Sequence, residues 1–226
     1  MGAMGLPSID FQPPNACPVC HAEQPRPFME VEGRAYWRCW TCEATFLEPA
    51  QRLERDEEFS HYRQHENDPD DPRYRRFLAK LADPLMEKLK AGMTGLDFGC
   101  GPGPALAAML DEAGVEMALY DPFFHPENAA LQRSYDVITL SEVAEHLFDP
   151  AATFEQLDSL LKPGGWLGVM TCFQTDDDRF ATWHYRRDPT HVVFYRPATW
   201  QVVAEQRGWS CEIPLKDVAL MQKRRC

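Results

Sequence analysis

The 226-residue chain has no apolar run approaching the roughly 20 residues that span a bilayer, although 44% of its residues are hydrophobic. It also lacks the surplus of Lys and Arg that a phosphate-backbone binder usually presents. Only 23 basic residues stand against 35 acidic ones, a net charge of −12. Residence in a membrane and gripping of nucleic acid are therefore both disfavoured. Met1-Gly2-Ala3-Met4-Gly5 shows neither a secretory h-region nor an amphipathic transit helix. Residues 1–10 read as a disordered tag scar, and the expected location is cytoplasmic. Eight cysteines would suit a disulfide scaffold, but four of them fall into two close pairs. No feature of the sequence specifies an oligomeric state.

Those pairs are Cys17-Pro18-Val19-Cys20 and, eighteen residues later, Cys39-Trp40-Thr41-Cys42. Two CxxC knuckles at this separation project four thiolates around one tetrahedral ion, a pattern that points to zinc. No βαβ pattern surrounds either pair, which argues against a thioredoxin-type redox motif. All four positions are filled by protein, so the metal would be structural. The intervening Tyr36, Trp37 and Arg38 suggest a hairpin over a very small core that could hardly fold without the ion. Residues 11–48 are assigned as a zinc ribbon.

A linker or lid is expected over 49–72. It contains the charged stretch Gln51 to Glu58 and then Phe59-Ser60-His61-Tyr62-Arg63, and it ends in the breaker Asn67-Asp68-Pro69-Asp70-Asp71-Pro72. Arg73 to Lys90 carries Tyr74, Phe77, Leu78, Leu81, Leu85, Met86 and Leu89 at helical spacing, with Pro84 expected to bend it or start a new turn. Tyr74 is assigned to packing; Tyr62 suits either packing or a lid.

Dinucleotide folds use G-x-G-x-x-G, and that spacing is absent here. In its place Leu96-Asp97-Phe98-Gly99-Cys100-Gly101-Pro102-Gly103 joins an apolar strand to the helical run beginning at Pro104. Glycines let backbone approach a ligand closely, and free N–H groups open the helix. A second strand, Val115 to Tyr120, ends at Asp121, which is placed to accept hydrogen bonds from ribose hydroxyls.

The D-x-G-x-G-x-G pattern resembles motif I of the class I S-adenosylmethionine-dependent methyltransferases. Two further stretches extend the resemblance. Ser141-Glu142-Val143-Ala144-Glu145-His146-Leu147 after the fourth strand is similar to the small-molecule branch that includes ubiquinone-biosynthesis O-methyltransferases. "LLKPGG" before the fifth strand, Trp166 to Thr171, also fits. The resemblance implies S-adenosylmethionine as cofactor, held by Asp97, Gly99, Gly101, Gly103, Asp121, Ser141 and Glu142, with His146 bordering the substrate. It also implies a Rossmann-like α/β fold over 73–226, its mostly parallel sheet closed by an antiparallel C-terminal pair, Trp209 to Ile213 and Val218 to Gln222. Pro122 to Leu131 is too short for the usual helix and third strand, so that strand should be abbreviated or absent. Phe123 or Phe124 suits either the adenine face or the core. Glu145 and His146 suit a solvated helix start equally well. E-x-x-E-H lacks the first histidine of the metalloprotease H-E-x-x-H.

Residues 172–196 are inserted between strand five and the last helix. They hold Asp176-Asp177-Asp178, read as a solvated turn in preference to a cation site, and then a run dense in aromatic and basic groups. That run resembles the D-P-T-H-x-x-F-Y segment of relatives. It is expected to form the substrate loop, with Trp183, His184, Tyr185 and Arg186 as substrate contacts, His191 as general base and Asp188 orienting it. His184 and His191 would serve equally as packing or capping residues. The leading reading is a methyltransferase for a small molecule. RNA or protein methylation using the ribbon as a grip is the alternative, and a non-catalytic cofactor binder is the third.

Overall fold

The computed structural model describes residues 11–63 and 68–225; the tag-scar reading of residues 1–10 lies outside them. The chain builds two sheets. The larger has strands β4 (Thr94–Phe98), β5 (Glu116–Tyr120), β6 (Tyr135–Ser141), β7 (Leu161–Met170), β9 (Ser210–Leu215) and β10 (Val218–Gln222), in the order β5-β4-β6-β7-β10-β9. The first four are parallel and the last two antiparallel. Central strands are sealed on both faces, as a parallel sheet requires: Val137, Ile138 and Leu140 of β6 are fully buried. Helices α2 (Pro72–Met86), α3 (Ala105–Glu112), α4 (Pro150–Leu160) and α5 (Pro197–Gln206) cover it. Asp71 caps α2 at the Arg73 N–H and Asp149 caps α4 at the Ala152 N–H, each followed by proline in the first turn. Pro84 stands inside α2 in its last turn, where it supplies no N–H to the helix ladder.

Between Asp121 and Tyr135 there is no strand, only the bridge Asp121↔His125 and a 3₁₀ turn at Asn128–Gln132. The third strand is therefore absent, and β5 becomes the sheet edge. Strand β7 starts five residues earlier than the glycines suggest. A bulge over Lys162–Gly165 lets Leu161 pair with Tyr135 before Trp166 rejoins at Val137, and Lys162 Nζ lies 2.8 Å from the Asp136 carboxylate.

The smaller sheet is the ribbon: β1 (Arg26–Val31), β2 (Arg34–Arg38) and β3 (Thr45–Leu47), joined by β8 (Val193–Phe194) from the far end of the chain. The hairpin expected between the knuckles is present, turning at Glu32 and Gly33, both with positive φ. Its core is not its own. Tyr36, Trp37, Phe46 and Leu47 form one contiguous buried cluster with Phe154, Phe180, Phe194 and Trp200. The short helix α1 (Arg55–Tyr62) follows and has no buried residue.

Chain order reverses across β4, since β5 lies on one side and β6 on the other. The carboxyl ends of β4 and β6 therefore part at a crevice, the place where open α/β sheets bind ligands.

Candidate active site

A cavity of about 810 Å³ opens at that crevice. One end is the glycine turn. Gly99 and Gly101 have φ of +76° and +64°, a region costly for side chains. A Cβ on Gly99 would also stand 2.5 Å from Val143. Asp121, 7% exposed, closes the turn: one oxygen accepts from Gly101 N at 3.0 Å, the other from Phe123 N and Phe124 N at 2.8 and 3.0 Å. Four acceptor sites on a carboxylate and three N–H donors leave capacity for a ligand hydroxyl. Asp97 is buried beneath the turn, accepts from Thr139 Oγ1 at 2.8 Å, and burial pushes its carboxyl up to about 6. Asp97 and Asp121 both line the cavity, so this end suits a cationic, hydroxyl-bearing ligand.

The other end gathers titratable groups. Glu142 follows β6 in the left-handed region, φ +53°, where a non-glycine residue is held against its preference. The Tyr185 hydroxyl meets three oxygens: Thr171 Oγ1 at 3.0 Å, Glu142 Oε2 at 3.2 Å and Glu145 Oε1. One phenolic proton cannot serve three acceptors, so the remaining protons come from Thr171 and a protonated carboxyl. Burial and the neighbouring Glu145 accordingly raise Glu142 to about 8, and burial raises the fully buried Glu145 as well.

His191 Nδ1 lies 2.7 Å from the Tyr185 carbonyl and His146 Nδ1 lies 3.1 Å from the Thr190 carbonyl. A carbonyl only accepts, so both rings carry a proton on Nδ1. Burial lowers the His191 pKa, which keeps the ring neutral. One atom each from Glu145, His146 and His191 lies within 4.8 Å of the others. Helix α1 roofs this end: Arg55, Glu58 and Tyr62 line the cavity, Phe59 stacks on Phe123 with centroids 5.2 Å apart, and His61 Nε2 is 3.4 Å from Asp188.

The four ribbon cysteines are buried and free, with Cys17 Sγ 3.7 Å from Cys42 Sγ and Cys20 Sγ 3.6 Å from Cys39 Sγ. All four sulfurs lie within 4.8 Å of one another. Disulfides would need about 2 Å. A tetrahedral ion with bonds of about 2.3 Å sets its sulfurs about 3.8 Å apart.

Residues 59–212 match the methyltransferase-domain family, well over half of the chain. The chain belongs to that family. It is 34% identical over 141 residues to the ubiquinone biosynthesis O-methyltransferase of Cronobacter sakazakii, covering 58% of this chain and 56% of that protein. With the enzyme of the same name from Sodalis glossinidius it shares 35% over 141 residues, 58% and 54% of the two chains. It thus spans about half the length of the curated relatives it matches. Among solved structures it resembles a chain in the complex of the Haloferax volcanii Trm112 methyltransferase activator, at 14% identity and a TM-score of 0.50. That match covers 77% of this chain and 100% of the other, a likeness of fold.

Within this methyltransferase fold, Asp97, Gly99, Gly101, Gly103, Asp121, Ser141 and Glu142 all line the cavity, as do His146, Asp188 and His191. Trp183, His184, Tyr185 and Arg186 do not. Trp183 packs among Phe180, Tyr185 and Phe194, and His184 is exposed. The Arg186 guanidinium turns into the ribbon, donating to Glu32 at 2.9 Å and to the Ala181 carbonyl at 3.1 Å. These side chains leave the cavity because the loop's own strand, β8, draws them onto the ribbon. Tyr185 instead reaches the site from behind through its hydroxyl. Asp188 does not orient His191 through Nδ1, which is taken by the Tyr185 carbonyl. It accepts from Thr190 N and Oγ1 at 2.9 and 2.5 Å and lies 3.9 Å from His191 Nε2. Asp177 of the triple-Asp turn binds Arg38 and Arg196. Glu145, read as suited to a solvated helix start, is fully buried behind the cavity wall, bonded to the Tyr185 hydroxyl. The E-x-x-E-H spacing held that signal, but a 3₁₀ turn at Ala144–His146 replaces the helix that would have exposed it. Tyr74, assigned to packing, also lines the cavity.

Proposed function

We propose that this chain transfers a methyl group from S-adenosylmethionine to a small-molecule acceptor, with a structural zinc ion in its cysteine ribbon. The observation that carries the reading is the two-ended cavity, with a glycine turn and carboxylates at one end and His146 and His191 at the other. Bound at the turn, S-adenosylmethionine would supply an electrophilic methyl on a sulfonium. Gly101, Asp97 and Asp121 hold that end, with Ser141 and Glu142 at its border. His191 keeps its Nε2 lone pair toward an acceptor hydroxyl and takes the proton as the oxygen becomes nucleophilic. His146 and Glu142 border the acceptor, and the roof of α1 with Phe123 and Phe124 excludes water.

The curated relatives act, by name, in ubiquinone biosynthesis, which supports a small aromatic or otherwise compact acceptor. RNA is less well served. Of the ribbon's cations, Arg38 is neutralised by Asp177 and Arg26 stacks over Trp40, 5.1 Å from its ring centroid. Among the described residues no helix is long and apolar enough to cross a membrane. A reduced cytoplasm would keep the four thiols available to zinc. The test is a metabolite library screened with labelled cofactor, alongside S-adenosylhomocysteine affinity by calorimetry. Label appearing in RNA or protein but in no metabolite would overturn the small-molecule reading. Absence of any cofactor binding would overturn the enzyme reading itself.

A further inference from the structure

The cysteine ribbon shares no lining residue with the cavity, yet backbone joins the two. Strand β3 pairs with β8 through Thr45↔Phe194 and Phe46↔Val193. Next to that pairing, Leu47 N donates to the Val192 carbonyl at 2.8 Å, and Val192 N donates to the Glu145 carbonyl at 2.8 Å. One residue, Val192, is thus bonded at once to the ribbon and to the turn carrying Glu145 and His146, and it directly follows His191. Tyr195, next to β8, adds a second tie to the same turn: its hydroxyl donates to the Ala144 carbonyl at 2.8 Å, and its own carbonyl accepts from Gln174 N at 2.8 Å.

Buried side chains lock the junction. Arg38 Nε donates to Thr45 Oγ1 at 2.8 Å, Thr45 Oγ1 donates to Gln174 Oε1 at 2.7 Å, and Arg38 and Arg196 converge on Asp177. The knuckles are tied down in turn. The Pro18 carbonyl accepts from Ala151 N at 3.0 Å, the Cys20 carbonyl from Gln206 Nε2 at 2.9 Å, and Cys39 N donates to the carbonyl of Ala44, the residue before β3. A two-residue strand such as β8 has too few hydrogen bonds to order itself and takes its geometry from its partner.

We propose that the metal-loaded ribbon is the positioning element of the acceptor end, with β3 serving as the template that holds 191–195 and, through Val192 and Tyr195, the Glu145–His146 turn. The inference rests on the methyl-transfer reading only for what those residues do. Among the described residues the cofactor end has no such strand pairing, since the sheet carrying the glycine turn contains neither β3 nor β8; it meets the ribbon only through the shared apolar cluster that includes Leu96 and Phe98. A ribbon whose fold depends on its ion would then decide whether the acceptor wall exists, while leaving the cofactor turn intact.

Hydrogen–deuterium exchange tests this directly, read over 142–147 and 188–196 and, as a control, over 97–106. S-adenosylhomocysteine affinity is measured alongside. The samples are zinc-loaded chain, chain stripped by chelator and then reloaded, Thr45→Val, and Thr45→Ser. Stripping and T45V should each speed exchange in both acceptor segments by about tenfold or more. The control segment should stay unchanged, and zinc or the serine hydroxyl should restore protection. Unchanged exchange over 188–196 after verified loss of zinc would overturn the proposal. So would exchange rising equally over 97–106, because the ribbon would then support the whole fold. A chain that never binds S-adenosylhomocysteine would fail the methyl-transfer reading while leaving the exchange result to decide the positioning role.

Discussion

His191 Nδ1 points at the Tyr185 carbonyl, 2.7 Å away, and this contact settles the chemistry available at its other nitrogen. With the proton committed to a backbone acceptor six residues back, Nε2 keeps its lone pair. Burial lowers the ring's pKa, so the base form persists below the usual histidine range of about 6.5. The same Tyr185 aims its hydroxyl at Glu142 and Glu145. One residue therefore sets the tautomer of His191 and hydrogen-bonds both carboxyls.

His191→Ala should cut turnover by about 10²–10⁴-fold while changing S-adenosylhomocysteine affinity little. In the parent enzyme the rate should rise with pH as His191 loses its proton, and the limb should fall on the acid side of the ordinary histidine value. A limb centred above that value, or one that persists in the alanine variant, would remove His191 from the role.

Glu142 gives a stability signature. Its folded pKa of about 8 lies above the unfolded value near 4.3, so the folded state holds the extra proton between these limits. Stability from this group must then fall as pH rises from about 4.3 to 8. Glu142→Gln cannot ionise and should gain on the parent steadily across that window, by roughly 3–5 °C per pH unit at about 2–4 °C per kcal/mol. Melting curves of the two proteins that run parallel from pH 5 to 8 would contradict the shared-proton arrangement.

At the glycine turn, Gly101→Val should abolish S-adenosylhomocysteine binding, because φ of +64° resists a branched side chain and the new atoms enter the cavity. Asp121→Ala should cost about 1–3 kcal/mol of affinity, partly through loss of its clamp on Gly101 N. Calorimetry on folded variants decides, and unchanged affinity in both would show that the cofactor lies elsewhere.

Purified protein should carry about one zinc per chain, measured by elemental analysis without added chelator. Cys39→Ser should lower that content. Disulfides at Cys17 and Cys42, with no metal, would be the contrary result.

Arg186 separates loop packing from substrate contact. Its side chain is 2% exposed and pairs with Glu32. Arg186→Ala should lower stability by about 1–3 kcal/mol while leaving the acceptor's Michaelis constant unchanged. A raised Michaelis constant at unaltered stability would return Arg186 to the substrate wall.

Much of this molecule was legible in residue order because it is locally encoded. The glycine turn between β4 and α3, Asp121 at the end of β5 and the missing third strand each follow from a few adjacent residues. So do the caps of α2 and α4, and the paired cysteines prescribe a cluster wherever the hairpin closes. What residue order could not show is where 172–196 would go. Its aromatic and basic side chains suit a substrate wall, but Val193 and Phe194 pair with Thr45 and Phe46, about 150 residues away, and no local pattern announces a two-residue strand. That one pairing drew Trp183 and Arg186 onto the ribbon and turned the Tyr185 hydroxyl toward the carboxylates. It also seated His191 against Glu145 and His146, because a short strand adopts the register of the sheet edge it meets. Local chemistry determined the cofactor end; long-range strand pairing alone decided the acceptor end.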